Sequence, residues 1–135
     1  MLFTIKEIKN KVEICASRVR NFAVLYYTFI DKKRHQIGSL YLENATISWN
    51  GNGANGREMI VRFIDGLPPS KHYFTNVDAQ PILDPVVGEL TTYLIQVGGN
   101  VEFGDQSPRF FQQSFIVTIE NDFWKIISDC YRMQD

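Results

Sequence analysis

The chain has 135 residues, 44% of them hydrophobic and 13% aromatic, with 14 Lys and Arg against 15 Asp and Glu. That length suits a single domain, residues 1–135, able to bury roughly two-thirds of its unfolded surface. The near-zero net charge excludes the broad basic field that a nucleic-acid backbone demands, so no direct nucleic-acid partner is expected. No stretch approaches the ~18 consecutive apolar residues of a bilayer span, and the N-terminus lacks the basic-then-apolar order of a signal peptide. Cys15 and Cys130 form neither a metal-ligand spacing nor a disulfide framework. The expectation is a soluble, intracellular, reduced protein without membrane partner, metal or cofactor.

Ile5, Ile8, Val12, Cys15, Val19, Phe22, Tyr26 and Ile30 fall at three- and four-residue steps and predict one long amphipathic helix. Asp31-Lys32-Lys33-Arg34-His35 closes it with cations near the negative end of the helix dipole, which reads as a solvated terminus rather than a phosphate or import patch. Ile37, Leu40 and Tyr41 predict a short second helix, and Ala45 to Asn50 alternates like a strand with one polar face.

Gly51-Asn52-Gly53-Ala54-Asn55-Gly56 spells G-x-G-x-x-G, with Asp78 about twenty residues on, where a dinucleotide-binding unit places its ribose acid. The context opposes that use. A parallel strand buried on both faces is almost continuously apolar, unlike 45–50, and no second helical crossover follows. A tight turn into a helix, with positive φ at Gly and Asn, is the better account. Asn55 and Glu58 have the layout of a capping box. Met59, Ile60, Phe63, Ile64 and Leu67 form the buried stripe of that helix, and Pro68-Pro69 ends it.

The remainder predicts strands at 72–80, 91–103, 109–120 and 123–134, separated by turn signals at Pro81–Gly88, Gly104–Pro108 and Asn121-Asp122. Alternation puts Tyr93, Ile95, Val97, Phe111, Phe115, Val117, Ile119, Ile127 and Tyr131 on a face under the helices. The other face carries Leu94, Gln96, Gln112, Ser114, Ile116, Ser128, Cys130 and Arg132. It is too polar for a core yet dotted with apolar groups, as a docking surface would be. The order α-α-β-α-β-β-β-β describes an α+β domain: a strongly bent antiparallel sheet wrapping one long helix and two shorter ones.

These residues resemble the nuclear transport factor 2-like family. Within it they look most like the small subunits that pair with TAP-type mRNA export receptors. The matching segments span nearly the whole chain: Tyr26-Tyr27, Leu40-Tyr41, Trp49-Asn50-Gly51-Asn52, Leu67-Pro68-Pro69-Ser70, Asp78-Ala79-Gln80-Pro81, Phe111-Gln112-Gln113-Ser114-Phe115-Ile116, and the ending Trp124 to Arg132. The Asp-x-Gln-Pro and Phe-x-Gln-x-Phe strands look shared with the Ran-GDP carrier. The Trp-Asn-Gly-Asn turn and the Ser-Asp-Cys-Tyr-Arg ending look specific to the export subunit.

The resemblance implies a cone-like, non-enzymatic scaffold that heterodimerises face to face with a similar domain of the export receptor. The pair would shuttle between nucleus, nuclear pore and cytoplasm, binding Phe-Gly nucleoporins mostly through the receptor. It also implies that Arg132 pairs with a receptor acid, on the same face as Gln96, Gln112, Ser114, Ser128 and Cys130. Where the Ran carrier has an acidic cluster, this chain reads Phe103-Gly104-Asp105-Gln106-Ser107, so Ran binding is not expected.

Two alternatives stand beside this. One is a homodimeric Ran-GDP-type import carrier using the same face; Arg132 argues against it, because the face offers no obvious acid to oppose a second copy of that cation. The other is a cavity enzyme of the isomerase or dehydratase type. Its candidate group is Asp129 with Tyr131 and Tyr93 on the inward face and Tyr26 from the long helix. The first strand, where the isomerases carry their base, offers Ser48, Trp49 and Asn50 and no carboxylate.

Overall fold

The computed structural model describes residues 4–82 and 92–134, and in the first helix the side chains of residues 8, 11, 12 and 14–17, Ile8, Val12 and Cys15 among them, lie outside that description. Most of the expected turn at Pro81–Gly88 lies outside it as well. Helix α1 spans Ile5–Lys32. Thr4 opens it with a capping box, its hydroxyl accepting from the Glu7 N–H and its own N–H donating to the Glu7 carboxylate, both at 3.0 Å. Val19, Phe22, Tyr26 and Ile30 are buried as the spacing requires, whereas Ile5 is exposed.

The expected second helix is a 3-10 segment, Arg34–Leu40, burying Ile37 and Leu40, and Tyr41 belongs to the next strand. The expected solvated terminus is a latch instead. Arg34 donates to the carbonyls of Ile30, Leu67 and Pro68 and to the Ser70 hydroxyl. Asp31 accepts from the Ser70 hydroxyl at 2.6 Å and the His72 N–H at 2.7 Å. One planar guanidinium thus satisfies carbonyls left over at the ends of α1 and of the following helix.

Strands β1 (Tyr41–Trp49) and β2 (Asn52–Asn55) form an antiparallel hairpin, so most of the G-x-G-x-x-G motif is a turn and a short edge strand. Asn50 and Gly51 take φ of 50° and 87° at the turn. Helix α2 (Arg57–Asp65) starts from Gly56 at φ 88°, with no side-chain cap. Asn55 is committed to the ladder opposite Thr46 and does not cap. In α2, Ile60 and Ile64 are buried and Phe63 packs against the core, but Met59 is 53% exposed, correcting the expected stripe.

Strands β3 (Ser70–Pro81), β4 (Thr92–Phe103), β5 (Arg109–Glu120) and β6 (Phe123–Gln134) complete a six-stranded sheet in the order β2-β1-β6-β5-β4-β3. It is mixed, not antiparallel: β1 runs parallel to β6. A parallel pair needs a long crossover, and the chain from α2 through β5 supplies it. Alternation reports faces but not the direction of a strand's neighbour.

Asn121 and Asp122, at φ 51° and 68°, make the tight β5–β6 hairpin. A bulge then shifts the register between Ile116↔Ser128 and Val117↔Ile126. Ile126 is therefore fully buried, and Ile127, expected inside, is the extra residue and 37% exposed. β3 carries another bulge between Phe74 and Asn76, and opposite Phe74 a Cβ on Gly99 would lie 2.1 Å from the Tyr73 carbonyl oxygen; only glycine fits there. The core lies between the helices and one sheet face. Phe22 meets Phe115 at 5.0 Å and Trp124 at 5.2 Å, and Trp49 meets Phe63 at 5.9 Å between ring centres.

Candidate docking face and buried acidic cluster

Successive residues of β6 point to opposite sides of the sheet. Asp129 points inward and is 3% exposed. Its Oδ2 accepts from the Tyr41 hydroxyl at 2.6 Å and the Tyr26 hydroxyl at 3.3 Å, and its Oδ1 accepts from Gln113 Nε2 at 2.7 Å. Gln113 Oε1 in turn accepts from the Tyr27 hydroxyl at 2.7 Å. Burial pushes the Asp129 carboxyl up to about 6, against the lowering effect of its hydrogen bonds from Tyr41, Gln113 and Tyr26. Burial first, and the nearby Asp129 charge with it, holds Tyr26 and Tyr41 well above the usual phenol range.

Of the residues expected to line a cavity, Asp129 and Tyr26 are joined by a hydrogen bond. Tyr131 belongs to another cluster: its ring stacks on Trp49 at 3.8 Å, and its hydroxyl lies 2.8 Å from His72 Nε2. His72 Nδ1 lies 2.8 Å from Asp31, so the imidazole bridges β6 to the end of α1. Tyr93 is buried, 6.2 Å from Trp124 between ring centres. Both oxygens of the Asp129 carboxylate accept hydrogen bonds from buried hydroxyls or an amide. Among the described residues no buried side-chain nitrogen or oxygen lacks a partner, the condition expected of structural polar groups. Nor are three His, Cys, Asp or Glu side chains grouped to hold a metal ion among them.

Sequence reasoning missed Tyr41 and Gln113 as partners of Asp129, and Tyr27 as the donor to Gln113. A signal existed for Gln113: it sits at inward parity between Phe111 and Phe115, and a carboxamide there requires buried partners. Tyr41 was hidden by its assignment to a helix. His72 and Asp31 come together only through the docking of α1 on β3, which no local pattern records.

On the opposite face, strand register sets the expected partner-binding residues in rows. Gln112 pairs with Arg132. The next row runs Asp78, Gln96, Ser114, Cys130, Ser48, and the one beyond it Gln80, Leu94, Ile116, Ser128, Thr46. Gln96, Gln112, Cys130 and Arg132 are exposed, and Ser114 and Ser128 half-buried. The expected face thus exists as one surface across β4, β5 and β6. One expectation fails: the face does carry an acid, because β3 extends it with exposed Asp78 opposite Gln96. Beside Asp78 the surface is dented by a polar groove of about 200 Å³ containing Asn76, Gln96, Gln112 and Ser114. At Gly98 a Cβ would lie 2.6 Å from Asn76 Oδ1, so a larger residue there would displace that exposed side chain.

Comparison with known proteins agrees with this architecture. Residues 19–133 match the family model of the nuclear transport factor 2 (NTF2) domain. NTF2-related export protein 2 of Bos taurus is 36% identical over 133 residues, covering 96% of this chain and 94% of the relative. NTF2-related export protein 1 of the same species is 37% identical, covering 96% and 95%. Among solved structures, nuclear transport factor 2 of Cryptosporidium parvum superposes with a TM-score of 0.74 at 25% identity, covering 85% of this chain and 90% of that one. A putative scytalone dehydratase of Novosphingobium aromaticivorans gives 0.73 at 14% identity, covering 89% and 84%. A chain of the Candida albicans Mtr2–Mex67 M domain complex gives 0.72 at 15% identity, covering 88% and 94%. The last two likenesses speak for the fold alone. With the family model and the export-protein relatives both spanning most of its length, the chain belongs to the nuclear transport factor 2 family.

Proposed function

We propose that this protein is a non-enzymatic adaptor that heterodimerises with the nuclear-transport-like domain of a TAP-type mRNA export receptor. In this account the pair carries mRNA through nuclear pores, with Phe-Gly nucleoporins bound by the complex, and shuttles between nucleus and cytoplasm. The observation that carries it is the contiguous outer surface of β4–β6, where Gln96, Gln112, Ser114, Ser128, Cys130 and Arg132 share one side of the sheet. The names of the curated relatives, NTF2-related export proteins, support the transport role.

Arg132 is the residue chosen to pair with a receptor carboxylate. Its planar fork binds a carboxylate bidentately and keeps its charge when desolvated. Catalysis is disfavoured because Asp129 is sealed under its own donors and a general base must reach its substrate. Ran binding is not part of the proposal.

A second reading gains from one observation. Asp78 and Arg132 occupy the same outer surface, so a two-fold axis passing between them would set each cation against the other copy's acid. Light scattering during size exclusion separates the two. A one-to-one complex with the receptor domain supports the adaptor, and a homodimer indifferent to the receptor supports the self-associating carrier.

A further inference from the structure

Where β4 crosses the outer surface, Gly98 leaves a gap in the row of side chains. It follows Gln96 by two residues and so shares the outward side, between Asn76 on β3 and Gln112 on β5. The hollow is the polar groove of about 200 Å³ beside Asp78, and the exposed ring of Phe110 also lines it. Among the described residues lining it, Asp78 alone is charged. No side-chain hydrogen bond among the described residues engages Asp78, Asn76, Gln96 or Gln112. The ion pairs among those residues lie elsewhere, at Glu58–Arg62 and Asp31–His72. Arg132 stands three strands from Asp78, roughly 14 Å at ordinary strand spacing, and cannot neutralise it.

From this we infer that the groove receives a cationic side chain, an arginine or a lysine, from the receptor's nuclear-transport-like domain, with Asp78 as its counter-charge. The inference rests on the heterodimer reading and adds the chemistry of the partner at the β3 end of the face. The groove offers a carboxylate for the charged head, carboxamide oxygens for its remaining N–H groups, and an aromatic ring for the stem. Through the Asp78–Gln96–Ser114–Cys130 row it is continuous with the proposed docking face. That face then carries an acid at β3 and a cation, Arg132, at β6. A partner with the reverse order of charges docks in one orientation, and turned end for end it meets like charges. A metal ion such as calcium is the poorer occupant, since it asks for about six to eight oxygen ligands with several carboxylates among them.

The test measures binding of the full chain to the receptor's nuclear-transport-like domain at several salt concentrations, for wild type, Asp78→Arg, Asp78→Asn, Asp78→Glu and Arg132→Glu. Thermal melts of each free variant verify folding. The expected result is binding roughly tenfold or more weaker for Asp78→Arg, where like charges meet. Asp78→Asn should lose on the order of threefold and show a shallower salt dependence, and Asp78→Glu should bind nearly as the wild type does. Binding that weakens for Arg132→Glu but not for Asp78→Arg overturns this inference and leaves the adaptor reading standing. No wild-type binding at all defeats the adaptor reading, and this one with it. Light scattering of the chain alone supplies the other arm. Self-association lost in Asp78→Arg and restored when Arg132→Asp is added would assign the groove to a second copy's Arg132 instead.

Discussion

The two faces of β6 hold polar groups in opposite ways. Inward, Asp129 has every short-range partner it needs within the fold: two tyrosine hydroxyls and a carboxamide, all buried. One residue to either side, Ser128 and Cys130 turn outward, and Arg132 follows on the same side with an exposed head. A buried polar group whose partners are complete fixes structure, and an exposed row whose apolar and polar groups lack a protein cover is available to another molecule. The contrast predicts that mutations on the two faces fail differently: inner ones in stability, outer ones in association.

The largest effect is expected inside. Asp129→Ala leaves Tyr41, Tyr26 and Gln113 without their shared acceptor and should lower unfolding free energy by about 3 kcal/mol. Urea unfolding measures this, and partner affinity at temperatures where the variant is folded should be unchanged. Next comes the outer face. Arg132→Ala should weaken the receptor complex by about 2 kcal/mol, by stranding a partner carboxylate, while the urea midpoint of the free chain stays put.

A pH experiment sharpens the inner half of the comparison. The Asp129 carboxyl titrates near 6 in the fold and near 4 unfolded, so between those values the folded state holds the extra proton. Stability from this group is therefore fully present below about pH 4 and is lost as pH rises through 6. Relative to Asp129→Asn, the wild type should gain about 1 kcal/mol on going from pH 7 to pH 5, read from paired urea titrations. An equal response of the two proteins would mean that Asp129 is not the buried acid described. The smallest effect belongs to the exposed Glu58–Arg62 pair on α2. Breaking it with Arg62→Ala should cost only about 0.3–0.5 kcal/mol.

Sequence periodicity made the long helix, α2 and the last three strands legible, because each has a one-sided apolar pattern over many residues. The same alternation placed Gln96, Gln112, Ser114, Ser128, Cys130 and Arg132 together, although it knew nothing of the bulge. Phase errors appeared where the period breaks. The extra residue at Ile127 moved the buried place to Ile126, and the count of inward residues could not reveal it. Asp78 is not legible as part of that face, because a bulge in β3 resets the strand's phase near Thr75. The Asp31–His72–Tyr131 connection and the Arg34 latch join segments far apart in the chain through single side chains, and charge patterning alone reads such residues as solvated. The glycine motif was legible as a turn, but its role as an edge strand depended on β1 offering a free side.

On this reading the outer face of β4–β6 is a heterodimer surface keyed by Arg132. Light scattering coupled to size exclusion, on this chain with the receptor's nuclear-transport-like domain, tests it most directly. The expected result is a one-to-one complex that Arg132→Glu breaks while the variant alone melts like the wild type. A stable homodimer, unchanged by receptor and by substitution alike, would contradict it.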